Sequence, residues 1–212
     1  HISYTIMLLL SKFYNIHKGK SIMLIISQNI ESYNIKLPEN TVFRINMAWC
    51  NNLKELENKL NKNKEMKFFI DLPIGRIKPP NNKYTLDEII PIIKSNSNIQ
   101  YFAVSNVESR NDLEPFLKKL PDRIIIVPKI ESPTAIENID EICNELKYEK
   151  RIIMLDHDDL FSSIIHSNED EEKFQQYMKK LVDYCENNDI SLLRTVGVVF
   201  SDDEKRITQY KK

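Results

Sequence analysis

The chain has 212 residues, 42% hydrophobic and 29% charged, which is enough for one sizeable core and ordinary for a globular domain. Its formal net charge of -1 argues against general nucleic-acid binding, which wants a basic field, and no apolar run approaches the roughly 20 residues of a membrane span. Three cysteines without CxxC spacing (Cys50, Cys143, Cys185) and three glycines without a GxGxxG or GxxxxGK[ST] pattern argue against a disulfide framework, a zinc site and a glycine-loop nucleotide site. Reduced thiols and a cytoplasmic location are the expectation.

In chain order, the apolar run from Ile6 to Leu10 is too short for a secretory core segment. Residues 1–20 read as an N-terminal extension and 21–212 as the domain proper. Short apolar runs bounded by polar turns predict strands over 21–27, 41–47, 67–72, 101–105, 123–130, 151–155 and 191–200. Ile124-Ile125-Ile126-Val127 and Ile152-Ile153-Met154-Leu155 are apolar on both faces, as strands of a helix-covered parallel sheet are.

Helical patterns lie between these runs. Residues 53–60 place Leu53, Leu56 and Leu60 at i, i+3 and i+7. Residues 85–94 open with Thr85 as a cap and carry Pro91, which should bend the helix or move its start. Residues 111–120, 132–146 and 169–186 follow. Ser132-Pro133 suits a helix opening, and the acidic run from Glu169 to Lys173 suits the helix dipole as a solvated start. Strand and helix alternate throughout, which predicts an α/β fold with right-handed crossovers, of which a single TIM-type (β/α)8 barrel is one form. Such a barrel typically needs about 250 residues. With seven strands legible, the barrel is expected to be incomplete, or to take its eighth strand from Ile6–Leu10 or from beyond the chain.

Polar residues that a core does not require collect at strand ends. Alternation puts Arg44 with Asn46, and Lys129 with Glu131, on single faces. Asp71 ends the third strand, and the sixth runs into Asp156-His157-Asp158-Asp159. Open sheets and barrels of parallel strands place their chemistry at these carboxyl ends. Two carboxylates with outer water suit Mg2+ or Mn2+, Arg offers a fork to a carboxylate or phosphate, and a buried Lys can have its pKa lowered for proton transfer. Simpler readings stand beside these. Lys129 and Glu131 could be a strand-end ion pair, Arg44 a surface ion pair, Asp71 a turn cap, and Asp156, Asp158 and Asp159 caps of a following helix. His157 reads as structural before it reads as a base. His17 and His166 lack partners at useful spacing, and Trp49 and Cys50 read as packing residues.

The segment Val127-Pro-Lys-Ile-Glu-Ser-Pro-Thr-Ala-Ile-Glu-Asn-Ile-Asp-Glu-Ile142 resembles the Lys-Ile-Glu strand and following helix of pyruvate kinase. In the same order, Phe43-Arg-Ile-Asn46, Phe69-Ile-Asp-Leu72, Phe102-Ala-Val-Ser-Asn-Val107, Ile152-Ile-Met-Leu-Asp-His-Asp-Asp-Leu160 and the segment from Cys185 to Thr195 resemble its other barrel strands. The resemblance covers roughly residues 20–200 and points to the phosphoenolpyruvate/pyruvate barrel superfamily. It implies Glu131 and Asp159 as ligands of a divalent metal and Lys129 as stabiliser of a transferring group or enolate. It further implies Arg44 as substrate clamp, Thr195 at the proton-transfer face, and Asn46 and Asp71 near a monovalent cation.

Departures are visible. Asp158 and His157 replace a Gly and an Arg of the pattern, and Ala48 stands where pyruvate kinase has a cation-binding Ser. No lid domain is inserted after Asp71. Size and the missing lid favour the smaller HpcH/HpaI aldolases and citrate lyase beta-like enzymes of the superfamily, whose final strand and acidic-start helix residues 198–207 resemble, while Lys129 favours the pyruvate kinase branch. The expected activity is then a Mg2+- or Mn2+-dependent carbon–carbon lyase acting through the enolate of a small anionic 2-oxo acid or related acyl substrate. A non-catalytic barrel serving as a binding or assembly module and a pyruvate kinase-like phosphotransferase are the alternatives. The expected partner is the oxo acid, with neither nucleic acid nor membrane. A homo-oligomer would cover the sheet edges that an incomplete barrel leaves.

Overall fold

The computed structural model describes residues 24–26, 41–74, 80 and 82–194. The readings placed on 1–20, on Thr195 and on 198–207 lie outside the described residues.

Apolar, β-branched runs form the strands β1 (Leu24–Ile26), β2 (Thr41–Asn46), β3 (Lys67–Leu72), β4 (Ile99–Val104), β5 (Ile125–Ile130), β6 (Ile152–Leu155) and β7 (Ser191–Arg194). Every neighbouring pair is parallel, and the spatial order is the chain order, β1 to β7. Between them run α1 (Leu53–Lys62), α2 (Leu86–Ser95), α3 (Glu114–Lys119), α4 (Pro133–Glu137), α5 (Ile139–Asn144), α6 (His157–His166) and α7 (Lys173–Asn187). The expected α/β class with a parallel sheet is present as a half-barrel.

The two faces of the sheet separate by the period-2 alternation of strands. Phe43, Ile45, Phe68, Ile70, Leu72, Phe102, Val104, Ile126, Ile153 and Leu155 share one cluster with Leu56 and Leu60 of α1, Ile89 and Ile93 of α2, Ile142 of α5 and Leu181 of α7. Val42, Phe69, Ala103, Val127, Ile152 and Met154 form a second, smaller cluster on the opposite face, to which the described helices contribute nothing. All described helices therefore cover one side. The parallel strands, stepping in sequence order, curl their other side inward, as an unclosed barrel does.

Several boundaries differ from the sequence reading for local reasons. Thr85 and Glu88 form a reciprocal capping box, and α2 carries Pro91 in its interior without ending there. Pro91 and Asp87 are both exposed, so water can take the Asp87 carbonyl that lacks its amide partner. The expected helix over 111–120 divides into a 3-10 turn, Arg110–Asp112, and α3, with Pro115 restarting the helix in its first turn. The expected helix over 132–146 breaks at Asn138 (φ -92°, ψ 14°), whose amide donates to the Glu108 carbonyl at 2.8 Å. The acidic run from Glu169 lies in turns after Asn168, which takes φ 54°, and α7 begins only at Lys173. Helix α6, outside the helices expected from the sequence, is capped by Asp156 and buries Leu160 and Ile164. No described helix is long and apolar enough to cross a membrane.

Candidate functional site

The inward face is apolar at its lower end and becomes charged at the carboxyl ends of the strands. Register sets the levels. Asp71 pairs with Ala103, Ala103 with Val127, and Lys129 with Met154. Asp71 thus lies one pleat below Lys129, while Glu131 and Asp156, each two residues past a paired position, lie one pleat above it.

Lys129 and Glu131 are 4% and 6% exposed, so neither charge is solvated. The Lys129 ammonium lies 2.5 Å from Glu131 Oε1 and 3.8 Å from Asp156 Oδ2. Glu131 Oε2 accepts the Asn106 backbone N–H at 2.7 Å. That N–H is aimed by a turn after β4 in which Asn106 adopts φ 54°, a left-handed conformation that Asn tolerates, while its side chain donates to the Ile74 carbonyl at 2.8 Å. Asp156 caps α6, with Oδ1 accepting from the Asp159 N–H at 3.4 Å. The cap turns Asp159, in the first helical turn, back towards the strand ends. One oxygen each from Glu131, Asp156 and Asp159 lie within 4.8 Å of one another.

Below them, Asp71 is fully buried. Its Oδ2 accepts from Arg44 Nε at 3.0 Å and from Arg44 Nη2. Its Oδ1, and Ser105 Oγ, are buried without a hydrogen-bond partner among the described residues.

Burial acts most strongly on Lys129 and disfavours its charge, but Asp71, Glu131 and Asp156 together outweigh it and hold the ammonium above the ordinary lysine range. Burial also pushes the Glu131 carboxyl up, against the pull of Lys129, with Asp156 adding to the rise. Lys129 is held protonated by its carboxylate neighbours, and Glu131 is pushed up mainly by its burial. Arg44 and Lys129 face Asp71, Glu131, Asp156 and Asp159, a formal excess of two negative charges.

That excess and the all-oxygen donor set fit a hard dication. An ionised carboxylate has about four lone-pair sites, so Glu131 can ligate while keeping the Asn106 contact. Lys129 and Glu131 meet on one face as their spacing suggests, Asp159, expected from the resemblance, lies beside Glu131, and Asp156 joins them. Asp156 caps through Oδ1 and contributes to the cluster as well. The alternation Ile152, Met154, Asp156 was the signal for it, as Tyr101, Ala103, Ser105 was for Ser105. Arg44 is engaged with Asp71 at the same end of the sheet. Asn46 accepts the Ala48 N–H at 3.0 Å and caps the 3-10 turn Met47–Trp49. The His157 ring packs 6.4 Å from that of Phe174. Trp49 is a correction: expected as a packing residue, it is 58% exposed at the end of a 3-10 turn whose Met47 and Ala48 take the buried side.

No family model and no curated protein matches the chain. Among solved structures it is similar to the crystal structure of RipC from Yersinia pestis, with a TM-score of 0.55 and 13% identity over 88% of this chain and 83% of that one. At that identity the likeness is one of fold alone.

Proposed function

We propose that the chain is a divalent-metal-dependent carbon–carbon lyase or aldolase acting through the enolate of a small 2-oxo acid or related acyl substrate, on an incomplete (β/α)8 barrel of the phosphoenolpyruvate/pyruvate superfamily. The observation that carries this reading is the Glu131–Asp156–Asp159 cluster, set beside a buried ammonium at the carboxyl ends of parallel strands. Mg2+ or Mn2+ held there would supply Lewis acidity towards a substrate oxygen.

The chain's own residues have separate tasks in this reading. Asp71 fixes the Arg44 guanidinium through Nε and Nη2, presetting the plane of a fork suited to an oxo-acid carboxylate. Lys129 provides a desolvated positive charge for negative charge developing on the substrate. The Asn106 N–H keeps Glu131 in one orientation. Thr195 enters only through the resemblance of its segment. The reading includes a cytoplasmic protein whose open sheet edges pair in a homo-oligomer.

Calorimetric titration with Mg2+ or Mn2+, with and without pyruvate or oxaloacetate, is the test, joined to turnover of a panel of 2-oxo acids. The expected outcome is metal binding and turnover in the wild type and loss of both in Glu131→Gln and Asp159→Asn. A Glu131→Gln variant that keeps both overturns the assignment.

A second reading has its own support. Arg44 with Asp71, and Lys129 with Glu131, neutralise each other in pairs, as a purely structural polar plug would. In that case the barrel is a binding or assembly module, and the absence of Mg2+ or Mn2+ binding with and without oxo acid selects it.

A further inference from the structure

Lys129 and the proposed metal would draw on the same carboxylates. Its ammonium contacts Glu131 at 2.5 Å and lies 3.8 Å from Asp156, two of the three carboxylates of the cluster. A dication ligated by those residues would stand within a few ångströms of the ammonium in a site that solvent screens poorly, and the two charges repel.

Among the described residues, two polar atoms nearby are without hydrogen-bond partners. Asp71 is fully buried and its Oδ1 accepts nothing, although a desolvated carboxylate oxygen left unpaired is costly. Ser105 Oγ is in the same condition. Ser105 follows Val104, whose ladder partner is Pro128, so it stands beside Lys129 on the next strand, with Asp71 one pleat below on the strand beyond. Asp71 acts on Lys129 by charge, beside Glu131 and Asp156. The lysine stem is flexible and its ammonium carries three donors, so it can reach more than one set of acceptors.

We propose that Lys129 is a movable counter-cation: its ammonium neutralises Glu131 and Asp156 in one arrangement, and turns to Asp71 Oδ1 and Ser105 Oγ when a divalent cation takes those upper oxygens. The proposal rests on the metal reading above. It assigns the two orphaned atoms to the second arrangement and makes Lys129 the residue that sets how tightly the cluster holds a cation.

The test is Mn2+ titration by calorimetry on wild type, Lys129→Met, Asp71→Asn and the double variant, with Mn2+-dependent thermal unfolding as a second readout. Removing the competing charge in Lys129→Met should tighten Mn2+ binding by about ten-fold or more. Its melting temperature should rise further on adding Mn2+ than that of the wild type. Loss of one negative charge in Asp71→Asn weakens binding in either background, but the loss should be several-fold greater where Lys129 is present and has lost its alternative acceptor.

Equal or weaker Mn2+ binding by Lys129→Met overturns the proposal while leaving the metal site standing, as does an Asp71→Asn effect of the same size in both backgrounds. If Asp71→Asn fails to fold, Lys129→Met and Lys129→Gln decide alone. Binding by Lys129→Met but not by wild type supports the proposal. Absence of Mn2+ binding in the wild type and in every folded variant overturns the metal reading and this proposal together.

Discussion

The two faces of the sheet are made from alternate residues of the same strands, yet they answer to different demands. The helix-covered face is apolar to its last residue: Ile130 and Leu155, at the carboxyl ends of β5 and β6, are fully buried. The inward face starts the same way, with Val42, Phe69 and Val127, but gives way to Asp71, Lys129, Glu131 and Asp156 within one or two pleats. Burying those charges costs stability that only mutual pairing offsets, and pairing rarely returns more than it costs. One face therefore holds the fold together, and the other spends part of that stability on a charged cluster.

The comparison breaks most visibly if the helix-covered face is hollowed. Phe68 is fully buried there, its ring 6.2 Å from that of Phe43. Phe68→Ala should lose about 3–5 kcal/mol in chemical denaturation. Cation binding by the variant, measured while it remains folded, should be unchanged, because Phe68 points away from the cluster.

On the inward face the expected pattern is opposite in kind. Glu131→Leu leaves Lys129 buried without its closest partner and should cost about 3 kcal/mol. Adding Lys129→Met should recover that loss to within about 1 kcal/mol of wild type or exceed it. A double variant as unstable as Glu131→Leu alone would mean that the pair is there for stability after all.

The smallest effect separates the faces by solvent rather than by energy. Cys50, Cys143 and Cys185 are all buried among the residues that the helices cover. Burial pushes the Cys143 thiol up to about 12, so almost no thiolate exists at neutral pH. Folded protein should react with a thiol reagent only at the rate of unfolding, and denaturant should expose all three thiols together. Fast labelling of any one in native buffer would show that the helical layer is loose.

The α/β class and much of this division were legible in the sequence, because period-2 alternation and double-sided apolar runs follow from strand geometry. Ile124 to Val127 announced a buried strand, Thr85 with Glu88 a helix start, and Lys129 with Glu131 a shared face. What stayed hidden depended on register and phase. Asp156, Asp158 and Asp159 look alike in sequence. Only the pairing of Met154 with Lys129 and the first turn of α6 separate Asp156 and Asp159 from exposed Asp158. The Arg44–Asp71 pair needed the alignment of two strands, and the aim of the Asn106 N–H needed a backbone angle that Asn permits without announcing. Helix α6 was masked by its acidic opening, since capping carboxylates and loop carboxylates are the same residues until the apolar positions behind them are counted.

Because β1 to β7 stand in space as they stand in sequence, the folding of this sheet has short distances to search. The contacts that build the charged end also step from one strand to the next: Arg44 meets Asp71 across 27 residues and Glu131 meets the Asn106 amide across 25. Loop closure over such spans is cheap and changes little from one strand pair to the next. The half-barrel can therefore grow strand by strand from any early pair, and the cluster closes only when β6 docks beside β5 and brings Asp156 to Lys129.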